Sequence, residues 1–165
     1  MGQLDEPGGY NPKVMIVKRL LPLSLLYEAD NHQIQGRTRM QKLVFLTQQR
    51  LDDEGLQPYR YIAYDYGPFS KDLLDALEEY DEKGLVERRT ERTWDGSNKY
   101  IYQLTPDGKR NFERNLRESD DAEEIERIRG TSSNVIDEFN KMSISKLLDY
   151  VYDHYPSYAE NSVLS

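Results

Sequence analysis

Four basic side chains suggest the first chemistry available to this sequence. Arg37, Arg39, Lys42 and Arg50 fall in one short stretch that contains no acid. Such a stretch suits contact with phosphates. Arg39 and Arg50 are eleven residues apart and so share one helical face. Further along come Arg88, Arg89, Arg92, Lys99, Lys109 and Arg110. From these two groups, Arg37, Arg39, Lys42, Arg88, Arg92 and Lys99 are the candidates for holding double-stranded DNA. The competing reading pairs Arg37 and Lys42 with acids of the third helix, so that they only hold the domain together.

The second chemistry is aromatic. Tyr59, Tyr61, Tyr64, Tyr66 and Phe69 lie within eleven residues, with Arg60 among them. Rings beside arginine make protein-interface hot spots, and rings also stack on exposed bases. The third option is that they close one side of a small core. Trp94 is the single Trp and sits in a polar turn beside Asp95-Gly96. Packing has little use for it there, so it is assigned to a protein partner or a second copy. Asp72 and Asp75 begin an acidic helix after the cluster. Tyr64, Tyr66, Phe69, Asp72, Asp75 and Trp94 form the candidate partner-binding set.

Catalysis has little to work with. The runs Asp52-Asp53-Glu54 and Asp120-Asp121 with Glu123-Glu124 read as solvated faces, not as acid–base pairs tuned by burial. Ser70, Ser132 and Ser133 have no local His partner, and Gly8-Gly9 introduces no phosphate loop. The two His, His32 and His154, are far apart. The absence of Cys excludes a thiolate nucleophile, a disulfide scaffold and a zinc ribbon. No catalytic residue, metal or cofactor is expected, and the protein is not read as an enzyme.

Composition sets the background for both binding chemistries. At 165 residues one compact domain is the default. Thirty acids against 22 bases give a net charge of −8, which opposes casual nucleic-acid binding. The same acidity suits a cytoplasm rich in salt, where at about 1 M the Debye length is ~3 Å and local contacts decide partners. A moderately acidic mesophile protein is the other reading. The nearly apolar stretch 14–26 is interrupted by Lys18 and Arg19 and falls short of the about 20 residues a span needs. Residues 1–12 are acidic and Gly-rich, unlike a secretory signal. A cytoplasmic location without membrane contact is expected.

Several elements must position these residues. Helix one over 13–30 is apolar nearly all round, the mark of a buried helix, with Pro22 predicting a kink or a break. A short connection leads to helix two, capped by Thr38 and ending at Gly55. Met40, Leu43, Val44, Thr47 and Leu51 make its buried face. Residues 59–64 alternate like a strand, which Gly67-Pro68 stops. Ser70 caps helix three, with Leu73, Leu74, Leu77 and Tyr80 in one stripe. Two strand-like runs, 85–93 and 99–104, flank the turn 95–98. Thr105 caps the next helix, with Pro106 in its first turn. Residues 118–131 are a charged connector or a solvated helix. Ser143 caps a last helix with Ile144, Leu147, Leu148, Val151 and Tyr155 on one side.

Helix, helix, strand, helix, hairpin, helix is the order of an α+β winged helix-turn-helix with additional C-terminal helices. An unrelated α+β domain with a hairpin is the plainer alternative. The expected organisation is a flexible tail at 1–12, a winged-helix domain at 13–117, the segment 118–131, and a helical extension at 132–165. The run Glu82-Lys83-Gly84-Leu85-Val86, with Tyr102-Gln103-Leu104-Thr105-Pro106-Asp107-Gly108-Lys109, resembles the wing of PadR- and MarR-type regulators. Gly36-Arg37-Thr38-Arg39-Met40-Gln41-Lys42-Leu43, followed by Tyr66-Gly67-Pro68-Phe69-Ser70, is similar to Panacea and SocA-like antitoxin domains and their uncharacterised bacterial and archaeal relatives. That resemblance spans residues 13–112 and implies a regulatory or toxin-neutralising module without catalysis.

One expectation is therefore a transcriptional regulator that contacts DNA through helix two and the wing. It would dimerise through 14–26 or around 147–151. The helix before the wing sets two lysines against six acids, a poor reader of the major groove. The alternative expectation is an antitoxin-like or adaptor module, whose acidic helix 70–83 and aromatic cluster meet a protein partner or toxin.

Overall fold

A computed structural model of the chain describes residues 12–51 and 57–160. Among them the order is α1 (Pro12–Glu28), β1 (Gln33–Gln35), α2 (Arg37–Arg50), β2 (Ile62–Tyr64), β3 (Gly67–Phe69), α3 (Lys71–Glu82), β4 (Val86–Arg92), β5 (Asn98–Leu104), α4 (Pro106–Glu118), α5 (Ala122–Phe139) and α6 (Ile144–His154). The chain is α+β, with two small antiparallel sheets among the described residues. One has the order β1-β5-β4 and the other pairs β2 with β3. The expected tail 1–12 lies outside the described residues but for Pro12, as do the helix end at Gly55 and the acids 52–54.

α1 is the buried axis. Leu20, Leu21, Leu23, Leu25 and Leu26 are all essentially inaccessible, because α4 and α5 pack along it. The helix runs unbroken through Pro22. Proline has no N–H for the carbonyl four residues back, which here is that of Lys18. Buried Tyr59 supplies the missing donor, its hydroxyl 2.5 Å from the Lys18 carbonyl oxygen. The Tyr80 hydroxyl donates to the next carbonyl, that of Arg19. Tyr59→Phe is expected to cost about 1–3 kcal/mol, the penalty of an orphaned buried acceptor. In a Pro22→Ala background, which restores the helical N–H, that cost should shrink by at least half. A double-mutant cycle by urea unfolding measures the coupling; equal costs in both backgrounds would refute it.

Four local expectations change. Residues 33–35 are not a bare connection but strand β1, registered Gln33↔Gln103, Ile34↔Tyr102 and Gln35↔Ile101 on β5. Thr38 is not the cap of α2. Gly36 is, at φ 102 and with no side-chain cap, because the chain turns sharply out of β1. Gly67-Pro68 does not stop a strand but forms β3, with Ala63 opposite Pro68 and Tyr64 opposite Gly67. Of the two readings of residues 118–131 the helix holds and the connector does not: most belong to α5, which runs on to Phe139 and, beyond a solvated face, buries Ile125, Ile128, Ser132, Val135, Ile136 and Phe139. The boundary drawn between 131 and 132 falls inside that helix.

The side-chain caps Ser70, Thr105 and Ser143 sit where the sequence places them, each accepting from the backbone N–H three residues on. Ile144, expected on the buried side of α6, is exposed, whereas Leu147, Leu148 and Val151 are buried. The two apolar stretches expected to form a dimer face are therefore largely consumed within one chain. No helix among the described residues is long and apolar enough to cross a membrane.

Candidate nucleic-acid interface

The site begins at the uncapped N-terminus of α2. No side chain caps this helix, so the N–H groups of its first turn remain donors for an anion. Arg37 is the first helical residue. Its guanidinium lies 4.4 Å from the Tyr100 ring centroid on β5, a cation–π contact. Arg39, half-buried, donates to the Asn140 carbonyl at 3.0 Å. Arg37, Arg39 and Lys99 line one cleft of about 510 Å³, with Thr38, Asn98, Tyr100 and Ile144 among the rest of its wall. Arg92 pairs in register with Asn98 across the β4–β5 hairpin. Among the described residues Arg37, Arg92 and Lys99 form no ion pair. Three of the six basic candidates, Arg37, Arg39 and Lys99, thus gather where α2 meets the hairpin, while Arg92 shares the hairpin but lies on the sheet face opposite Lys99.

Of the other two, Lys42 is buried, and Arg88 shares a neighbouring groove with Arg37. Lys42 is 3% exposed, and its ammonium donates to the Pro68 carbonyl at 3.0 Å. Burial pushes its pKa down to about 8. A side chain shut inside the α2–β3 contact cannot reach a DNA phosphate, which corrects its place in the DNA set. The competing reading, an ion pair with an acid, also fails for it, because its partner is a backbone carbonyl. Arg88 is exposed, but it turns toward α3 and bonds Asp81 at 3.1 Å. It lines a second groove of about 590 Å³ together with Arg37, Lys71 and Arg89, against Asp75 and Glu78. Four bases face two acids there, so a phosphate meets both signs with the basic one in excess.

Lys42 is half of a clamp whose other half is Gln41. The Gln41 side chain accepts from the Ser70 N–H at 2.9 Å and donates to the Ser70 carbonyl at 3.0 Å. The two motifs 36–43 and 66–70 are therefore in direct contact: one supplies the amide and the ammonium, the other the backbone groups they hold. Gly67 (φ +91) has no room for more, since a Cβ there would lie 3.0 Å from the Tyr152 ring.

The partner-binding candidates divide similarly. Tyr59 is core. Tyr64 and Tyr66 are about half exposed, and Ile62 beside them is 58% exposed. The Tyr64 and Phe69 rings lie 5.0 Å apart and tilted. Asp75 is exposed and bonds Lys71 at 3.3 Å, and Asp72 is half-buried at the start of α3. Trp94 stands 98% exposed at the hairpin tip. Its turn is rigid, because Asp95 accepts from the Thr93 hydroxyl and from the backbone and side chain of Ser97. Those bonds hold the Asp95 carboxyl down at about 2.

Sequence reasoning missed Tyr100, the ring on which Arg37 rests, and Tyr102 beside it in the second groove. Their signal was the alternation of Tyr100 and Tyr102 around buried Ile101. Among the described residues no group of three or more His, Asp or Glu is placed to hold a metal ion. The sequence matches no protein-family model and no curated protein.

Proposed function

We propose that the protein is a winged-helix DNA-binding regulator, non-catalytic, that grips a duplex by its phosphates. The observation that carries this reading is the basic cleft. Arg37, Arg39 and Lys99 converge beside uncapped helical N–H groups, and among the described residues Arg37, Arg92 and Lys99 form no ion pair, although Glu91 stands opposite Lys99 in the hairpin register. The connectivity supports it: α1, β1, α2, α3, β4 and β5 with sheet order β1-β5-β4 follow the winged-helix path. The β4–β5 hairpin is then the wing, and the β2–β3 hairpin an insertion. α3, in the position of a base-reading helix, is acidic, so affinity rests on phosphate contacts and not on base readout.

The test is binding to generic duplex DNA across a salt series. Log affinity should fall with log salt by about 0.9 per phosphate contact, and Arg92→Ala and Lys99→Ala should each reduce the slope by roughly one. An unchanged slope in both variants removes the wing from the interface, and absence of binding at every salt rejects the reading. That last outcome favours a second reading, a protein-binding module similar to SocA-like antitoxins. The observation behind it is the exposed apolar group Ile62, Tyr64 and Tyr66 near the acidic α3, a surface suited to a partner with basic and apolar residues.

A further inference from the structure

We propose that the phosphate-binding surface continues from the α2 cleft over β1 to the end of α5, where it holds a further stretch of the same duplex backbone. This rests on the DNA-binding reading and adds Gln33, Gln35 and Lys141 to it. A cleft of about 340 Å³ adjoins the first one, and Gln35, Arg39 and Lys99 line both. Strand register fixes how the strand residues stand. Gln35 lies opposite Ile101 and Gln33 opposite Gln103, and Lys99 is two residues from Ile101, so all of them occupy one sheet face. From α2, Arg39 reaches the carbonyl of Asn140, the residue before Lys141, at 3.0 Å. One trough therefore runs from Arg37 past Arg39 and Lys99 to Lys141.

The charge of the trough opposes that of the whole chain. Arg37, Arg39, Lys99 and Lys141 meet one acid among the described residues of its walls, Asp30, whereas the protein carries a net −8. A concave basic track on an acidic body focuses its field on an anion. Lys141 pairs with Asp30 at 4.0 Å, and both side chains are at least 80% exposed. Such a pair is worth little in water, so the ammonium readily exchanges the carboxylate for a phosphate. Arg39 covers a carbonyl at the end of α5, where the helix would otherwise turn its negative pole to the trough. Cations at both ends and between them suit a chain of charges, not a single small anion.

The carboxamides add a contact of another kind. Gln35 donates to Gln33 and Gln33 to Gln103, each at 2.9 Å, and Gln103 donates to the Asn31 carbonyl at 2.9 Å. A carboxamide nitrogen carries two hydrogens, so Gln33 and Gln35 each keep one for a further acceptor. The row fixes their orientation in advance and so reduces the entropy lost on binding. Phosphate oxygens accept from Gln as well as from Arg and Lys, but a neutral donor releases no counterion. The trough therefore has a salt-sensitive share, carried by its cations, and a salt-insensitive share, carried by its amides.

The probe is a fluorescein-labelled generic duplex, bound by the full chain and followed by anisotropy over a salt series starting at about 0.1 M, where the Debye length is ~10 Å. Lys141→Ala should weaken binding several-fold at the lowest salt and lower the slope by about 0.9, one phosphate contact. Gln35→Ala should weaken it several-fold with the slope unchanged. Asp30→Asn should strengthen it several-fold, a gain that misfolding does not mimic. If the parent binds and Lys141→Ala leaves its slope unchanged, or Asp30→Asn brings no gain, the continuation is overturned while the α2 cleft keeps its role. If Gln35→Ala binds as tightly as the parent, the amides are struck from the surface. Absence of binding by the parent overturns both readings. Poly-glutamate that displaces the duplex at equal charge concentration would overturn a duplex as the occupant.

Discussion

Gly108→Ala is expected to cost about 3 kcal/mol, the upper end of what overpacking usually costs. A Cβ at this position would lie 2.1 Å from the Leu85 carbonyl oxygen and 2.7 Å from Leu104 Cδ1. The first obstacle is backbone, so no rotamer change relieves it. The first turn of α4 is also fixed in place there. The Thr105 N–H donates to the Leu85 carbonyl at 3.1 Å, its hydroxyl donates to the Gly84 carbonyl at 2.6 Å, and that hydroxyl accepts from the Gly108 N–H at 2.9 Å. Relief would require α4 to lift from the root of the hairpin. Gly130 on α5 is the control, since a Cβ there meets nothing within 4 Å. Gly130→Ala should stabilise by about 0.5–1 kcal/mol through helix propensity alone. Urea unfolding of both variants measures the contrast, and a Gly108→Ala protein as stable as its parent would mean the turn is not packed as described.

The second large effect is alkaline. Burial pushes Tyr80 and Tyr102 up to about 12 and Tyr59 well above its ordinary value. In the unfolded chain a phenol titrates near 10. Above that pH the folded state keeps protons that the unfolded state loses. The stability these groups contribute is therefore whole below pH 10 and is lost as pH climbs through 12. At about 1.36 kcal/mol per unit, Tyr80 and Tyr102 together account for roughly 5 kcal/mol, and a domain has about 5–15 in all. Tyr59 and Tyr80 also need their protons to donate to the α1 carbonyls. Cooperative unfolding is expected between pH 10 and 12, with phenolate absorbance rising in step with loss of circular dichroism. Smooth titration of the thirteen tyrosines near pH 10 with the fold intact would contradict it.

Local signals in the sequence carried much of the architecture, and their failures share one cause. The caps Ser70, Thr105 and Ser143 and the hairpin turn act over three or four residues, so neighbours suffice to read them. β1 has only Gln33, Ile34 and Gln35, and its identity rests on β5, some seventy residues away. Lys42 looks like a surface cation because its charge is visible in the sequence and its cage is not. The acids 118–124 hid a helix whose single buried stripe begins at Ile125 and faces α1. In the candidate interface, Arg37, Arg39, Arg92 and Lys99 were legible as charges. The convergence of Arg37, Arg39 and Lys99 was not, because it depends on Gly36 turning the chain beneath Tyr100.

The burial of α1 under α5 has a consequence for synthesis. Arg129 of α5 meets Glu28 of α1 across 101 residues of chain. At about 5–20 residues per second, a helix apolar on nearly all sides leaves the ribosome roughly 5–20 s before the one that covers it. During that interval it is a natural client for whatever holds exposed hydrophobic segments in the cell, and a ribosome stalled before α5 would release a chain unable to shield its own first helix.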